Sequence, residues 1–354
     1  MERTMKNIIF LCCAAAVLLL TGCTTYRVYV GGSDGIHKVE YSYHPQGWWS
    51  EKLTDSSHIS YMAISPTTLY AARRLAKGVC GVDVFKIGFR GSLQKCSNFV
   101  IPGKHGYCHI SLSKDGKYLF GSSYSGAFLD VLALNAEGGI AALKERIHFS
   151  GHSIHKRQKH SHPHFASQTP DGSMVLVADL GGDRIHTFKY DGSGKLLRGE
   201  SVALPPGSGP RHLSFSADGK LLFAANELNN TVTSFKVENG TLKLLASCSL
   251  LPAEWSGTSY AGAIKTAPCG MVFVTNRGHN SIAAVTAQGD GKLKLASLFS
   301  SEGDFPYDLT FAKEKLFLVN MKSDQFSVWE KGEKWEKKAE LTLRRPMCVV
   351  TPEP

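Results

Sequence analysis

Seven times along the chain a short apolar run closes on a small polar patch, with centres near Tyr29, Tyr70, Phe120, Leu176, Phe223, Phe273 and Phe317, 41 to 56 residues apart. That period matches a four-stranded propeller blade and is too long for most helical solenoids. The clearest unit predicts a first strand over Arg211 to Phe215, a tight turn at Ser216-Ala217-Asp218-Gly219 and a second strand over Lys220 to Ala225. A third strand over Thr231 to Val237 then ends at the Asn239-Gly240 turn. The turn recurs as Ser113-Lys114-Asp115-Gly116, as Thr169-Pro170-Asp171-Gly172 and, degenerate, as Ala267-Pro268-Cys269-Gly270. Third strands alternate apolar and polar residues, as in Ile185 to Tyr190 and Ile282 to Thr286, and no segment carries a helical period. The prediction is an all-β, seven-bladed β-propeller.

The chain ends complete the ring. The first unit lacks an innermost strand before Tyr26 to Val30, whereas Pro346 to Thr351 read as an innermost strand with nothing after it. Pairing the C-terminal strand with the N-terminal blade closes the circle and removes two exposed edges. The 354 residues then form one domain behind a leader.

The leader, residues 1–23, has charges at Arg3 and Lys6, thirteen apolar residues from Ile8 to Leu20, and then Thr21-Gly22-Cys23. Thirteen is short for a bilayer span, so the segment reads as an export signal. Leu20-Thr21-Gly22-Cys23 resembles a bacterial lipobox, which makes Cys23 the lipidated residue and predicts an exported, membrane-anchored lipoprotein. Cys12 and Cys13 leave with the leader. The cysteines at 80, 96, 108, 248, 269 and 348 are scattered without metal-site spacing, and Cys80 with Cys96 is the pair to test for a disulfide. Net charge is +10, or +9 without the leader, which favours acidic ligands or anionic surfaces. No interleaving of aromatic and basic residues marks a nucleic-acid motif.

The longest insertion holds five histidines in thirteen residues, His152, His155, His160, His162 and His164, together with Lys156, Arg157, Gln158 and Lys159. Imidazoles suit a metal. The loop has neither carboxylate nor thiolate to complete a site and carries cations of its own, so it reads as a solvated basic loop with one or two histidines turned into the channel. His164 directly precedes an innermost strand. Gly209-Pro210-Arg211-His212 occupies the same place one unit later, Asn226-Glu227 follows the second strand there, and Asn276-Arg277-Gly278-His279 follows the next. His164, Arg211, Glu227 and Arg277 thus converge on one rim from three adjacent blades.

The runs RQKHSHPHFASQTPDGSMVLVADLGGDRI (157–185), GPRHLSFSADGKLLFAANELNNTVTSF (209–235) and VTNRGHNSIAAV (274–285) resemble the lactonase family of seven-bladed propellers. That family contains propeller-type 6-phosphogluconolactonases and the fungal carboxy-muconate lactonising enzymes. Weaker echoes occur at Cys108-His109, at Ser123-Tyr124-Ser125-Gly126 and at Tyr29-Val30-Gly31. The resemblance implies a catalytic set of His164, Glu227, Arg211 and Arg277, with His162, His109, His212, Asn226 and Tyr307 as substrate contacts, and no cofactor or metal. Two departures stand out. A Pro-Arg pair common in 6-phosphogluconolactonase-type relatives is replaced by Pro306-Tyr307-Asp308, and the export signal separates the chain from cytoplasmic sugar phosphates.

The implied activity is hydrolysis of a sugar lactone by activated water, with His164 or Glu227 as base and Arg211 and Arg277 holding the carbonyl oxygen. No G-x-S-x-G elbow points to a covalent nucleophile. Two other readings predict different behaviour: a cycloisomerase that closes a carboxylated diene acid, or a non-catalytic tethered propeller that binds a carbohydrate or protein.

Overall fold

The computed structural model describes residues 26–43, 46–74, 80–238 and 240–352. The export signal and Cys23 lie outside the described residues. Seven antiparallel sheets follow one another around an axis, and the innermost strands touch their neighbours all the way round. Blades 2 to 7 begin with the innermost strands Ile59–Ile64, His109–Leu112, Pro163–Gln168, Pro210–Phe215, Tyr260–Thr266 and Pro306–Ala312. Blade 1 takes its innermost strand, Cys348–Val350, from the C-terminus. It pairs with Arg27–Gly31, so the ends fasten the ring as the sequence predicts. Among the described residues there is no α-helix, only a 3-10 turn at Phe89–Gly91.

The core lies between the sheets, in apolar clusters that each join neighbouring blades, such as Phe165, Leu176, Leu213 and Phe235 between blades 4 and 5. The seven repeat centres all sit in these layers, none more than 2% exposed. Burying such a side chain contributes about 1.5–3 kcal/mol, which is why the apolar run survives in every unit while loops vary. The polar turn is held by its own side chains. Ser216 Oγ donates to Asp218 Oδ1 at 2.7 Å and accepts from the Leu221 N–H at 2.9 Å, while Gly219 takes the left-handed φ of 70°. Thr169 with Asp171 and Ser113 with Asp115 repeat this bonding.

A register break positions the site. In blades 2, 4, 5 and 7 the residue after the first of the innermost strand is skipped in the pairing: Ser60, His164, Arg211 and Tyr307 lie opposite no single partner. Each is the extra residue of a β-bulge, and a bulge re-aims its side chain out of the pleat. On one rim of the channel the bulge residues of these four blades therefore gather, together with residues at or just past the ends of second strands: Arg74 and Arg277 as the last strand residues, Tyr124 and Glu227 as the next ones.

Cys80 and Cys96 are not bridged. Both are free, and Cys96 Sγ faces the Val84 carbonyl, four residues along the strand from Cys80. Four strand residues span roughly 13 Å, far beyond disulfide reach.

Candidate active site

Glu227 is the centre of the rim. Its Oε2 lies 2.8 Å from Arg277 Nη2 and 3.1 Å from Arg211 Nε, and its Oε1 lies 2.6 Å from Arg157 Nη1. Glu227, Arg211, Arg277 and His164 are all buried, at 3%, 2%, 6% and 8% exposure. Three guanidiniums around one carboxylate leave an excess of positive charge in a desolvated place, which calls for further anionic or acceptor oxygens. Arg277 gives Nη2 also to the Ala261 carbonyl at 2.9 Å. Arg211 is less satisfied. Its Nε approaches Glu227 out of line for a hydrogen bond, so Nε and Nη1 are both buried without an acceptor. Both guanidiniums stand over the Tyr307 ring, at 5.4 and 5.6 Å from its centroid.

The charges sort the candidates. Burial pushes the Glu227 carboxyl upward, but Arg277, Arg211 and Arg157 outweigh it and hold the group well below the usual carboxylate range. Burial first, and then Arg211, drive His164 well below the ordinary histidine value, so its imidazole is neutral at pH 7. Its Nδ1 is buried with no partner. Burial lowers His212 and His109 as well, helped by Arg211 at His212 and by Lys265 and then Arg211 at His109. Asp308 is pushed up to about 6 by burial, against the pull of Lys265, backbone N–H groups and Arg211.

Arg157 escaped the sequence reading, which placed it in a solvated loop. Its neighbour Gln158 is fully buried and donates Nε2 to the Leu180 carbonyl at 2.8 Å and to Asp183 Oδ1 at 2.7 Å. Gln158 Oε1 accepts from the His155 N–H. Pinned this way, the loop swings Arg157 across the rim to Glu227, with Nη2 donating to Tyr124 Oη at 3.3 Å and the guanidinium 5.5 Å from the Tyr260 ring. The one available signal was a glutamine among histidines and cations, a poor choice for a loop facing only water.

A family model described as Lactonase, 7-bladed beta-propeller matches residues 18–351. The chain belongs to this lactonase family. An uncharacterized protein of Staphylococcus aureus strain N315 is 31% identical over 288 residues, covering 80% of this chain and 84% of that protein. Among solved structures, the periplasmic gluconolactonase of Pseudomonas aeruginosa superposes with a TM-score of 0.84 at 27% identity, covering 93% of this chain and 99% of that one. A protein from Lactobacillus plantarum gives 0.87 at 26%, with the same coverage. A putative 6-phosphogluconolactonase from Bacteroides fragilis, at 23% identity and 0.82, shares the fold.

In this lactonase-family propeller the remaining predicted residues take distinct places. Tyr307 lies under the two arginines. His212 and His109 stand one layer deeper, their rings 5.5 Å apart, with the His164 ring 5.2 Å from that of His212. His162 is set back, stacked on Tyr124 at 4.0 Å with its Nδ1 on the Tyr124 carbonyl. Asn226 sits behind Glu227 with its Oδ1 buried and unpartnered. It is fully buried, with Nδ2 donating to Thr231 and Thr233 Oγ1 within its own blade. Asn276 and Asn320 do the same work at the equivalent strand ends. Among the described residues no three His, Cys, Asp or Glu side chains gather as metal ligands. A cavity of about 580 Å³ opens on the same rim beside Tyr307, lined by Ser60, Arg74, Cys108, Arg344 and Arg345 among others. Tyr307 links this cationic mouth to the guanidinium cluster, since it lines the cavity and its ring faces Arg211 and Arg277.

Proposed function

We propose that the chain hydrolyses a sugar lactone at this mouth, outside the cytoplasm. The observation that carries the reading is the buried Arg211, whose Nε and Nη1 lack acceptors beside a neutral His164 with a free Nδ1. An oxyanion is what such a donor set lacks. In the proposed reaction, neutral His164 takes a proton from water as its oxygen attacks the lactone carbonyl carbon. Arg211 and Arg277 hold the developing oxyanion. Collapse breaks the ring C–O bond, the imidazolium returns its proton to the ring oxygen, and the aldonic acid so formed gives its carboxyl proton to solvent and leaves as the aldonate. One base contributes about 10²- to 10⁴-fold and one oxyanion donor roughly 3 kcal/mol.

Glu227 is assigned to positioning rather than to proton transfer. Both its oxygens face guanidiniums that hold the proton affinity far down, whereas His164 offers an unengaged lone pair. The cationic basin of Arg74, Arg344 and Arg345 suits an acidic substituent on the lactone and offsets the arginine missing at Tyr307.

The test is turnover of glucono-1,5-lactone and of its 6-phosphate by the protein from Thr24 onward, measured above the spontaneous rate. His164→Asn should lower kcat/KM at least a hundredfold, and Arg277→Ala at least tenfold. A folded protein that accelerates no lactone, or a His164→Asn variant with unchanged turnover, would overturn the assignment.

A further inference from the structure

In every blade the second strand ends at the mouth, so the start of Arg27–Gly31 marks the opposite face. Tyr26 is there, roughly 16 Å along the strand from Gly31. Only Thr24 and Thr25 separate it from Cys23, and three residues of chain reach at most about 10 Å. Any anchor at Cys23 thus leaves the fold on the pole away from the mouth.

That pole carries apolar side chains beside the anchor point. Phe89, at the tip of the turn that ends the third strand of blade 2, is 84% exposed, and Trp49 on the outer strand of blade 1 is 40% exposed. The turn is fixed. Tyr29 Oη donates to the Gly91 carbonyl at 3.0 Å and Lys38 Nζ to the Arg90 carbonyl at 3.2 Å, while Arg90 accepts a left-handed φ of 54°. A strained, braced turn that holds a phenylalanine out into water gains nothing for folding. Cations lie beside both rings of this face: the Arg90 guanidinium lies 5.2 Å from the Phe89 ring, and exposed Lys313 has its Nζ 5.4 Å from the Tyr26 ring, which lies 6.0 Å from that of Trp48 and whose hydroxyl donates to Glu314 Oε1 at 2.6 Å. Aromatic rings interleaved with cations suit the headgroup region of an anionic bilayer.

We propose that this face, built from Tyr26, Trp49, Phe89, Arg90 and Lys313, rests on the membrane that holds the chain's own lipid anchor, so that the mouth opens directly away from the bilayer. A lipid chain alone leaves a protein free to tumble on its tether; a second contact of this kind fixes orientation. The ligand of the mouth is accordingly drawn from the aqueous compartment and not from the lipid.

The full chain, lipidated at Cys23, is placed in vesicles of phosphatidylethanolamine and phosphatidylglycerol, and amide exchange is compared with that of the same sample dissolved in detergent. Residues 88–92 and 313–315 should exchange several-fold more slowly in vesicles, while the mouth loops 151–162 and 344–347 stay unchanged. Phe89→Asp should abolish the protection at 88–92 while the anchor keeps the variant on the vesicles. Equal exchange in both samples, protection at the mouth loops instead, protection that appears only when other cell proteins are added, or a chain with Cys23 unmodified and no retention on vesicles would each overturn the proposal.

Discussion

Replacing Glu227 by Gln keeps the shape of the side chain and removes one negative charge from the middle of three guanidiniums. At an effective dielectric near 20, charges about 4 Å apart interact by about 4 kcal/mol, and removing one partner of a buried pair costs about 3–5 kcal/mol. The carboxylate is 3% exposed and Arg211 and Arg277 are as deeply buried, so the upper part of that range applies to them; Arg157, one-third exposed, adds least. For a chain of this length the entropy of unfolding is about 0.7 kcal/mol per kelvin, which places the fall in Tm at roughly 4–7 °C. Scanning calorimetry of wild type and Glu227→Gln at pH 7, with and without inorganic phosphate, reads this directly. Phosphate should restore part of the loss, and should stabilise the variant more than wild type, because it supplies the missing anion. The folded carboxyl is held below its unfolded value, so its contribution is complete above pH ~4.5 and fades only as the pH falls through the depressed value. The wild-type advantage should therefore be constant between pH 5 and 8. A variant as stable as wild type, or a loss indifferent to phosphate, would refute the idea that Glu227 neutralises the arginines.

Three further outcomes are expected. Because His164 is held neutral well below the ordinary histidine value, the acidic limb of kcat/KM should lie below pH 6.5, and a limb at or above that pH would exclude His164 as the base. Asp308, 1% exposed, has a carboxyl raised to about 6, a penalty that is absent at low pH and complete above pH 6; Asp308→Asn should raise stability by up to about 3 kcal/mol at pH 8 and leave it unchanged at pH 3, as urea titration would show. Deleting Pro346 to Pro354 removes Cys348 and Val349 from the buried layers on either side of blade 1 and should leave a protein without a cooperative unfolding transition by circular dichroism.

The blades were legible because every unit repeats the same burial problem: an apolar strand packed between two sheets, followed by a hydroxyl–carboxylate–glycine turn. The convergence of His164, Arg211, Glu227 and Arg277 was legible for the same reason, since equivalent positions in a ring face one axis. The bulge that turns Arg211 and His164 out of the pleat left no mark, because a skipped residue alters pairing without altering composition. Asn226 drew notice through its adjacency to Glu227, and polar residues at the same strand end in other blades, Asp179, Asn276 and Asn320, show the structural bonding its amide nitrogen shares. Arg157 was missed because its placement depends on Gln158 reaching Asp183, a contact across 25 residues that no local pattern encodes.

The clasp of blade 1 dictates the order in which the molecule can be finished. Six sheets assemble from neighbouring hairpins, but Gly31 meets Cys348 across 317 positions. Joining such distant points in an unstructured chain would cost about 5 kcal/mol of entropy, against about 2 for a short hairpin. The clasp can therefore shut only after the intervening blades have curved round to carry one end to the other, and until the last residues arrive the nascent ring exposes two sticky margins, which makes its final stretch the one most in need of protection during synthesis.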